Sequence, residues 1–165
     1  MWALDHDPVA WEITEGLTTE VGARQGGTEA EARGRAWALN YLRKAGFANV
    51  REEAFDMPTW VRGEERASVV SPFPQKMAIT ALGNSGSTGA AGLEAEVAYF
   101  PSIEALRAAP DGSIVGKIAF VSHAMKPTQD GSSYGAFGPA RFVGPNIKAK
   151  KGAAAIVIRS VGTDH

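Results

Sequence analysis

The stretch "TEVGARQGGTEAEARGRAWALNYLRKAGF" (Thr19–Phe47) carries the clearest structural signals in this 165-residue chain. Three glycines precede Thr28, and Glu31 follows three positions later, which is the capping-box pattern at the start of a helix. Gly46 is a typical helix stop, and two basic residues before it complement the carboxyl end. The pattern predicts a helix from Thr28 to Ala45 whose apolar stripe is Ala32, Ala36, Leu39 and Leu42, flanked by Arg33, Trp37 and Tyr41.

The flanking segments predict shorter elements. Asp7 followed by Pro8 indicates a short helix that ends at Glu15, and residues 49–55 ("NVREEAF") predict a strand. From Trp60 onward, short apolar runs alternate with glycine, proline and serine, which is typical of a β-rich region. The predicted strands lie in "RASVV" (66–70), "KMAITAL" (76–82), "LEAEVAYF" (93–100), "KIAFVS" (117–122) and "AAIVIRS" (154–160).

Two of these strands are predicted to lie side by side in the sheet centre. Residues 116–121 and 154–158 are apolar on both faces and therefore require cover on both. A crossover helix capped by Asn146 and ended by Gly152 would make them parallel, and a further short helix is capped by Ser102. The sum is an α+β chain in which a helical arm precedes a β-rich domain.

The composition is that of an ordinary globular protein, with 44% hydrophobic and 21% charged residues. A net charge of -1 gives no excess of basic residues that would favour binding to nucleic acid. The lysines at 148, 150 and 151, with Arg141 nearby, are best explained as a solvated helix face. No apolar run is long enough to span a membrane, and the N-terminus lacks a signal-peptide pattern. The absence of cysteine excludes disulfides, thiolate ligands and a cysteine nucleophile.

Candidate metal ligands are sparse. The histidines are His6, His123 and His165, and none has a second histidine at ligand spacing. Aspartates 5 and 7 surround His6, but a solvated terminus explains them better than a metal site does. His123 follows a predicted buried strand at its carboxyl end, where parallel sheets often carry function. Without a partner it is interpreted as a structural or loop histidine.

Other catalytic patterns are also weak. The dipeptide Glu52–Glu53 lies in a predicted strand and points to opposite faces, and Glu64–Glu65 lies among arginines in a turn. A small hydrolase using Ser122 and His123 is disfavoured because adjacent strand residues diverge. Taken alone, the residues predict no catalytic constellation.

Residues 17–55 ("LTTEVGARQGGTEAEARGRAWALNYLRKAGFANVREEAF") resemble the N-terminal entry of M28-family zinc peptidases. Arg24 matches the usual arginine of the family's first turn, whereas Ala23 and Gln25 depart from its commonest residues. The chain from Trp60 onward resembles the protease-associated (PA) domain of those enzymes, in their carboxypeptidase Q-like group. The ordered motifs that carry this second resemblance are Trp60-Arg62-Gly63, Ala81–Gly83, Gly116–Ile118, Gln129–Gly131 and Ile158–Ser160.

The resemblance implies a domain plan and a function. Residues 1–58 would belong to the peptidase domain, and residues 59–165 would form the PA domain, a β-sandwich or open barrel with flanking helices. The family's zinc ligands lie downstream of the PA domain, so none maps onto this sequence. The chain is then expected to be the non-catalytic part of a periplasmic or extracellular aminopeptidase or carboxypeptidase. Its downstream peptidase domain would hold two zinc ions and hydrolyse peptides.

In this interpretation the PA domain gates substrate access or mediates protein interaction. Within the long loop 126–146, residues 130–141 are expected to face the cleft through Tyr134, Phe137 and Arg141. The alternative is a mobile loop with one aromatic tucked into the core. Partners would be the downstream peptidase domain and peptides, with a homodimer formed through the arm as a further expectation. The rival hypothesis is a stand-alone peptide- or protein-binding module without enzymatic activity.

Overall fold

The computed structural model describes residues 6–162, which form a mixture of helices and short strands. The chain divides into two compact units between Asn84 and Ser85. Within the described residues the strands form two separate sheets, of two and three strands, and neither is a closed barrel. The domain boundary predicted between residues 58 and 59 follows from the resemblance to a domain family. A division by internal contacts does not test it, so it stays a prediction. The β-sandwich form of the second domain likewise stays a prediction.

The first unit opens with two helices. Helix α1 spans Val9–Gly16, and the Asp7 carboxylate accepts a hydrogen bond from the Val9 N–H at 3.0 Å. A π-helical segment, Leu17–Val21, continues it. Helix α2 spans Glu29–Lys44, and the Thr28 hydroxyl accepts from the Glu31 N–H at 3.2 Å. The predicted cap and the predicted extent of this helix are confirmed.

Helix α2 packs through the residues that flank the predicted stripe. Gly34 is buried, and the rings of Trp37 and Tyr41 stack with centroids 5.2 Å apart. The Trp37 indole N–H donates to the Glu20 carboxylate at 3.1 Å. In the stripe itself Ala32 and Ala36 are exposed, and Leu42 is 38% exposed. Leu39 is half-buried, so the apolar stripe is only partly exposed.

The predicted strand at residues 49–55 is wrong. These residues are irregular, and none of the described strands pairs with them. Asn49 adopts a positive φ of 60°, and the charged side chains that follow form ion pairs on the surface. An extended segment without a neighbouring strand forms no ladder hydrogen bonds. Strand propensity alone therefore does not keep these residues in a strand conformation.

A two-stranded hairpin, with contacts of Arg62 across its two ends, completes the first unit. Strand β1 (Ala67–Val69) pairs antiparallel with β2 (Gln75–Met77). The Arg62 guanidinium donates to the Ala81 carbonyl at 2.8 Å and pairs with Glu65 at 2.9 Å. These contacts hold the two ends of the hairpin together.

The second unit is built on a parallel sheet of order β3-β4-β5, with strands Val97–Phe100, Ile118–Val121 and Ala155–Ile158. Helix α3 (Ile103–Ala108) joins the first two strands, and its predicted Ser102 cap is confirmed at 3.2 Å from the Ala105 N–H. Helices α4 (Gly138–Phe142) and α5 (Gly144–Lys150) lie between β4 and β5. This is the parallel crossover that the sequence predicted.

Two details of that prediction are wrong. Strand β4 is central, but β5 is an edge strand of the described sheet, and Val157 is 43% exposed. Helix α5 begins at Gly144 instead of being capped by Asn146, because Pro145 occupies a first-turn position where its missing N–H costs nothing. Apolar residues on both strand faces therefore did not require cover on both.

The core lies between one face of the sheet and helix α3. Its buried residues include Ile103, Leu106, Ala119 and Val121, with Ala140 from α4. Half-buried residues on the same sheet face, among them Phe100 and Ile156, pack against them. Among residues 6–162 no helix combines the length and apolar character that crossing a membrane requires.

Candidate functional site

The segment between β4 and α5 carries the three predicted access residues. The Ser133 hydroxyl donates to the Lys126 carbonyl, which closes the first part of the segment. The Ser132 N–H donates to the Asp130 carboxylate at 3.0 Å, and this bond holds the pKa of Asp130 below its ordinary value of 3.8. A 3₁₀ turn, Ser132–Ala136, then leads into α4. The segment is thus organised by its own hydrogen bonds.

Phe137 anchors this segment. Its side chain is 1% exposed, and its ring lies against His123 with the centroids 4.6 Å apart. His123 follows β4, so this contact fastens the long loop to the carboxyl end of the central strand. The placement matches the alternative of one aromatic tucked into the core, and Phe137 presents no surface to a ligand.

Tyr134 and Arg141 lie together at the surface. A guanidinium nitrogen of Arg141 donates to the Tyr134 hydroxyl oxygen at 3.0 Å, and Tyr134 is 42% exposed. The structure therefore brings two of the three predicted site residues into contact and buries the third against His123. That this pair faces a substrate cleft stays a prediction.

The Ser122 and His123 pair does not form a nucleophile with its base. The Ser122 N–H donates to the Phe100 carbonyl at 2.9 Å as part of the sheet, and within residues 6–162 no hydrogen bond joins the two side chains. The pKa of Glu104 is lowered first by its own backbone N–H and then by the Ser102 hydroxyl, and His123 makes only a smaller contribution. Nothing here activates a serine.

The two Glu-Glu dipeptides are surface ion pairs. Each of the four carboxylates engages a different arginine: Glu52 pairs with Arg35 at 3.3 Å, Glu53 with Arg51 at 2.8 Å, Glu64 with Arg66 at 2.5 Å and Glu65 with Arg62 at 2.9 Å. No two of these glutamates share a proton site in the manner of a catalytic acid and base.

Metal ligation needs three or more suitable side chains around one point. In the described part of the chain no group of three or more histidine, aspartate or glutamate residues is arranged in this way. His6 belongs to this part, whereas Asp5 and His165 lie outside it. Within residues 6–162 the structure therefore offers no ligand set for a zinc ion.

The predicted basic face is wrong for Lys151. Its side chain is buried, and its ammonium donates to the Ala109 carbonyl at 2.5 Å and pairs with Asp111 at 2.8 Å. Lys148 donates to the carbonyls of Ala153 and Ala154. Lysine clusters and buried lysines look alike in a sequence, because only the fold brings residue 111 to residue 151.

The Asp111–Lys151 pair predicts a pH dependence. The hydrogen bond from Lys151 lowers the pKa of Asp111 from its ordinary value of 3.8. The pair therefore stabilises the folded chain above pH 3.8, and this contribution is lost as the pH falls through the lower folded-state pKa. Melting temperatures measured between about pH 5 and pH 2 should fall more steeply for the unchanged chain than for Asp111→Asn. Identical pH profiles would show that the pair contributes nothing.

Comparison with known proteins gives a consistent set of relatives. No family model matches the chain. Carboxypeptidase Q from Bos taurus is 36% identical over 148 residues, and that from Homo sapiens is 32% identical over the same length. Each match covers 89% of this chain and 30% of the relative. The crystal structure of a peptidase M28 precursor from Shewanella amazonensis SB2B matches 99% of this chain and 37% of that one, with a TM-score of 0.86 and 40% identity.

The chain is thus homologous to a part of the M28 peptidases, as its motifs predicted. Within that class its curated relatives are carboxypeptidases Q. The chain spans about a third of the length of the proteins it matches.

Proposed function

We propose that this chain is the non-catalytic part of a zinc-dependent exopeptidase. Residues 1–58 would belong to the peptidase domain, and residues 59–165 would form a PA domain that limits substrate entry. The observation that carries the proposal is a match over 99% of the chain to a peptidase M28 precursor, of which it covers 37%.

In the longer protein, two zinc ions held by the downstream domain would activate a water for attack on a peptide carbonyl. This chain's own contribution would be to position the peptide that enters and to limit which peptides enter. The Tyr134–Arg141 pair, held by the buried Phe137, would form the edge that a peptide meets on entering. The protein would act on peptides outside the cytoplasm, in the periplasm or the extracellular space.

A chimera tests this proposal. The chain would replace the matched 37% of the Shewanella peptidase, to which it is 40% identical. The chimera is expected to show zinc-dependent exopeptidase activity, and Tyr134→Ala is expected to change KM more than kcat, because it alters entry and not chemistry. The 165-residue chain alone should neither cleave dipeptides nor bind zinc stoichiometrically. Submicromolar zinc binding by the chain alone, or an inactive but folded chimera, would overturn the proposal.

The rival hypothesis, a stand-alone binding module, makes the opposite prediction. It requires the isolated chain to bind a peptide or protein with a Kd on the order of 1 μM or below. It also requires that the activity of the chimera does not depend on residues 59–165. Comparing the chimera with one that carries only residues 1–58 of this chain separates the two hypotheses. A fully active short chimera with unchanged KM would favour the module.

The partly exposed stripe on α2 leads to a prediction about association. We expect the 165-residue chain to form a two-fold dimer through the stripe, since Leu42 and part of Leu39 remain in water and a large apolar side chain left there forgoes about 1.5–3 kcal/mol. Sedimentation should show a dimer that Leu42→Glu dissociates. Val61→Glu is the control, because Val61 is 68% exposed and lies off the helix. A monomeric unchanged chain would instead indicate that the stripe is reserved for the downstream domain.

A further inference from the structure

The hydrogen-bond chemistry of the Tyr134–Arg141 pair specifies a ligand. An arginine carries five N–H donors and no acceptor. In the described residues one of these donors, on Nη1, meets the Tyr134 hydroxyl at 3.0 Å, and Arg141 forms no ion pair there. Arg51, Arg62 and Arg66 each pair with a glutamate, whereas Arg141, like Arg24 and Arg43, forms no ion pair among the described residues. Arg141 is thus a charged group with donors to spare.

The tyrosine adds a donor of its own. Because the Tyr134 oxygen accepts from Arg141, the hydroxyl proton is directed toward another acceptor. The pair therefore presents donors from both side chains and carries one positive charge. A carboxylate, with two oxygens that can each accept, is the complementary group, and hydrogen bonds to charged partners are about twice as strong as neutral ones.

The pair is also held in place before a ligand arrives. The Tyr134 N–H donates to the Gly131 carbonyl at 2.9 Å within the 3₁₀ turn, and Arg141 lies on helix α4. Between them in sequence, Phe137 is buried against His123. A ligand that docks on a preorganised pair avoids most of the entropy cost of ordering it.

We propose that Tyr134 and Arg141 form a binding site for the free α-carboxylate of a peptide. The proposal rests on the access role given above, and it names the chemical group that the access edge recognises. An aspartate or glutamate side chain offers the same chemistry, so the test separates the two sources of carboxylate.

The test is binding to the 165-residue chain, followed by NMR at the Arg141 Nε–H and the Tyr134 amide. N-acetyl-alanyl-alanine should bind with a Kd on the order of 1 mM, and its C-terminal amide about tenfold more weakly. Arg141→Gln should weaken binding of the acid about tenfold, and Tyr134→Phe should weaken it severalfold. Arg107→Gln is the matched control, because Arg107 is exposed in the same unit but lies on α3.

Equal affinities for the acid and the amide, or an Arg141→Gln variant that binds as the unchanged chain does, would overturn the carboxylate site. Tighter binding of N-acetyl-aspartic acid amide than of the dipeptide acid would overturn the α-carboxylate as its ligand. None of these outcomes depends on zinc or on peptidase activity. Failure of this site therefore differs from failure of the proposed function, which the chimera decides.

Discussion

Replacing Phe137 by alanine is expected to lower the free energy of unfolding of the second unit by about 3–5 kcal/mol. The side chain is 1% exposed, and its ring packs on His123 with centroids 4.6 Å apart. The 3₁₀ turn before it has no buried residue, and helix α4 after it buries only the small residues Gly138 and Ala140. Replacing the ring by a methyl group leaves a cavity, and these short elements would have to shift to fill it.

Phe142 provides the matched control, since it is the same residue type five positions later and is 75% exposed. Phe142→Ala should change the free energy of unfolding by less than about 0.5 kcal/mol. Urea unfolding monitored by circular dichroism measures both variants. If Phe137→Ala cost less than about 1 kcal/mol, the ring would not be buried in solution and the long loop would be mobile.

Anchoring by Phe137 also bears on the carboxylate site. Loss of the ring should raise hydrogen exchange at the Tyr134 and Arg141 amides before the whole unit unfolds, because local opening needs less free energy than global unfolding. Phe142→Ala should leave both amides as protected as in the unchanged chain. We therefore expect the buried Phe137 ring to fix the positions of the Tyr134 and Arg141 side chains.

The elements that the sequence predicted best are those specified locally. The Thr28 cap with Glu31, and the Ser102 cap, are contacts over three residues, so the pattern contains all the information they need. Strand β5 failed as a central strand because its neighbours depend on the rest of the sheet. The strand predicted at 49–55 failed for the same reason, since strand propensity without a partner strand forms no ladder.

The candidate site shows the same division. The sequence indicated Tyr134, Phe137 and Arg141 because they are large residues in a long loop. It could not tell which of them turns inward, because the burial of Phe137 depends on His123, which lies fourteen positions earlier, just after β4. Similarly, the burial of Lys151 depends on Asp111 and Ala109. In both cases a contact between residues distant in sequence decides the burial, and the sequence alone does not contain that contact.

Gly16 leads to the other large expected effect, and here sequence and structure predict opposite signs. Gly16 lies at the end of α1 in ordinary helical conformation, where alanine is favoured over glycine by about 1 kcal/mol. A Cβ at this position would lie 2.4 Å from Cζ2 and 2.9 Å from Cε2 of Trp37. Such overlap costs about 1–3 kcal/mol in a packed site, so Gly16→Ala is expected to destabilise the first unit.

The Trp37 ring has little freedom to move out of the way. It stacks on Tyr41 with an interplanar angle of 11°, and its indole N–H is bonded to Glu20 at 3.1 Å. Replacing Trp37 by leucine removes the overlapping atoms, so in that background Gly16→Ala should stabilise by up to about 1 kcal/mol. Urea unfolding of the two single variants and the double variant gives the coupling free energy. A coupling near zero would mean that α1 and the Trp37 ring do not meet in solution, because two residues that do not touch give additive effects.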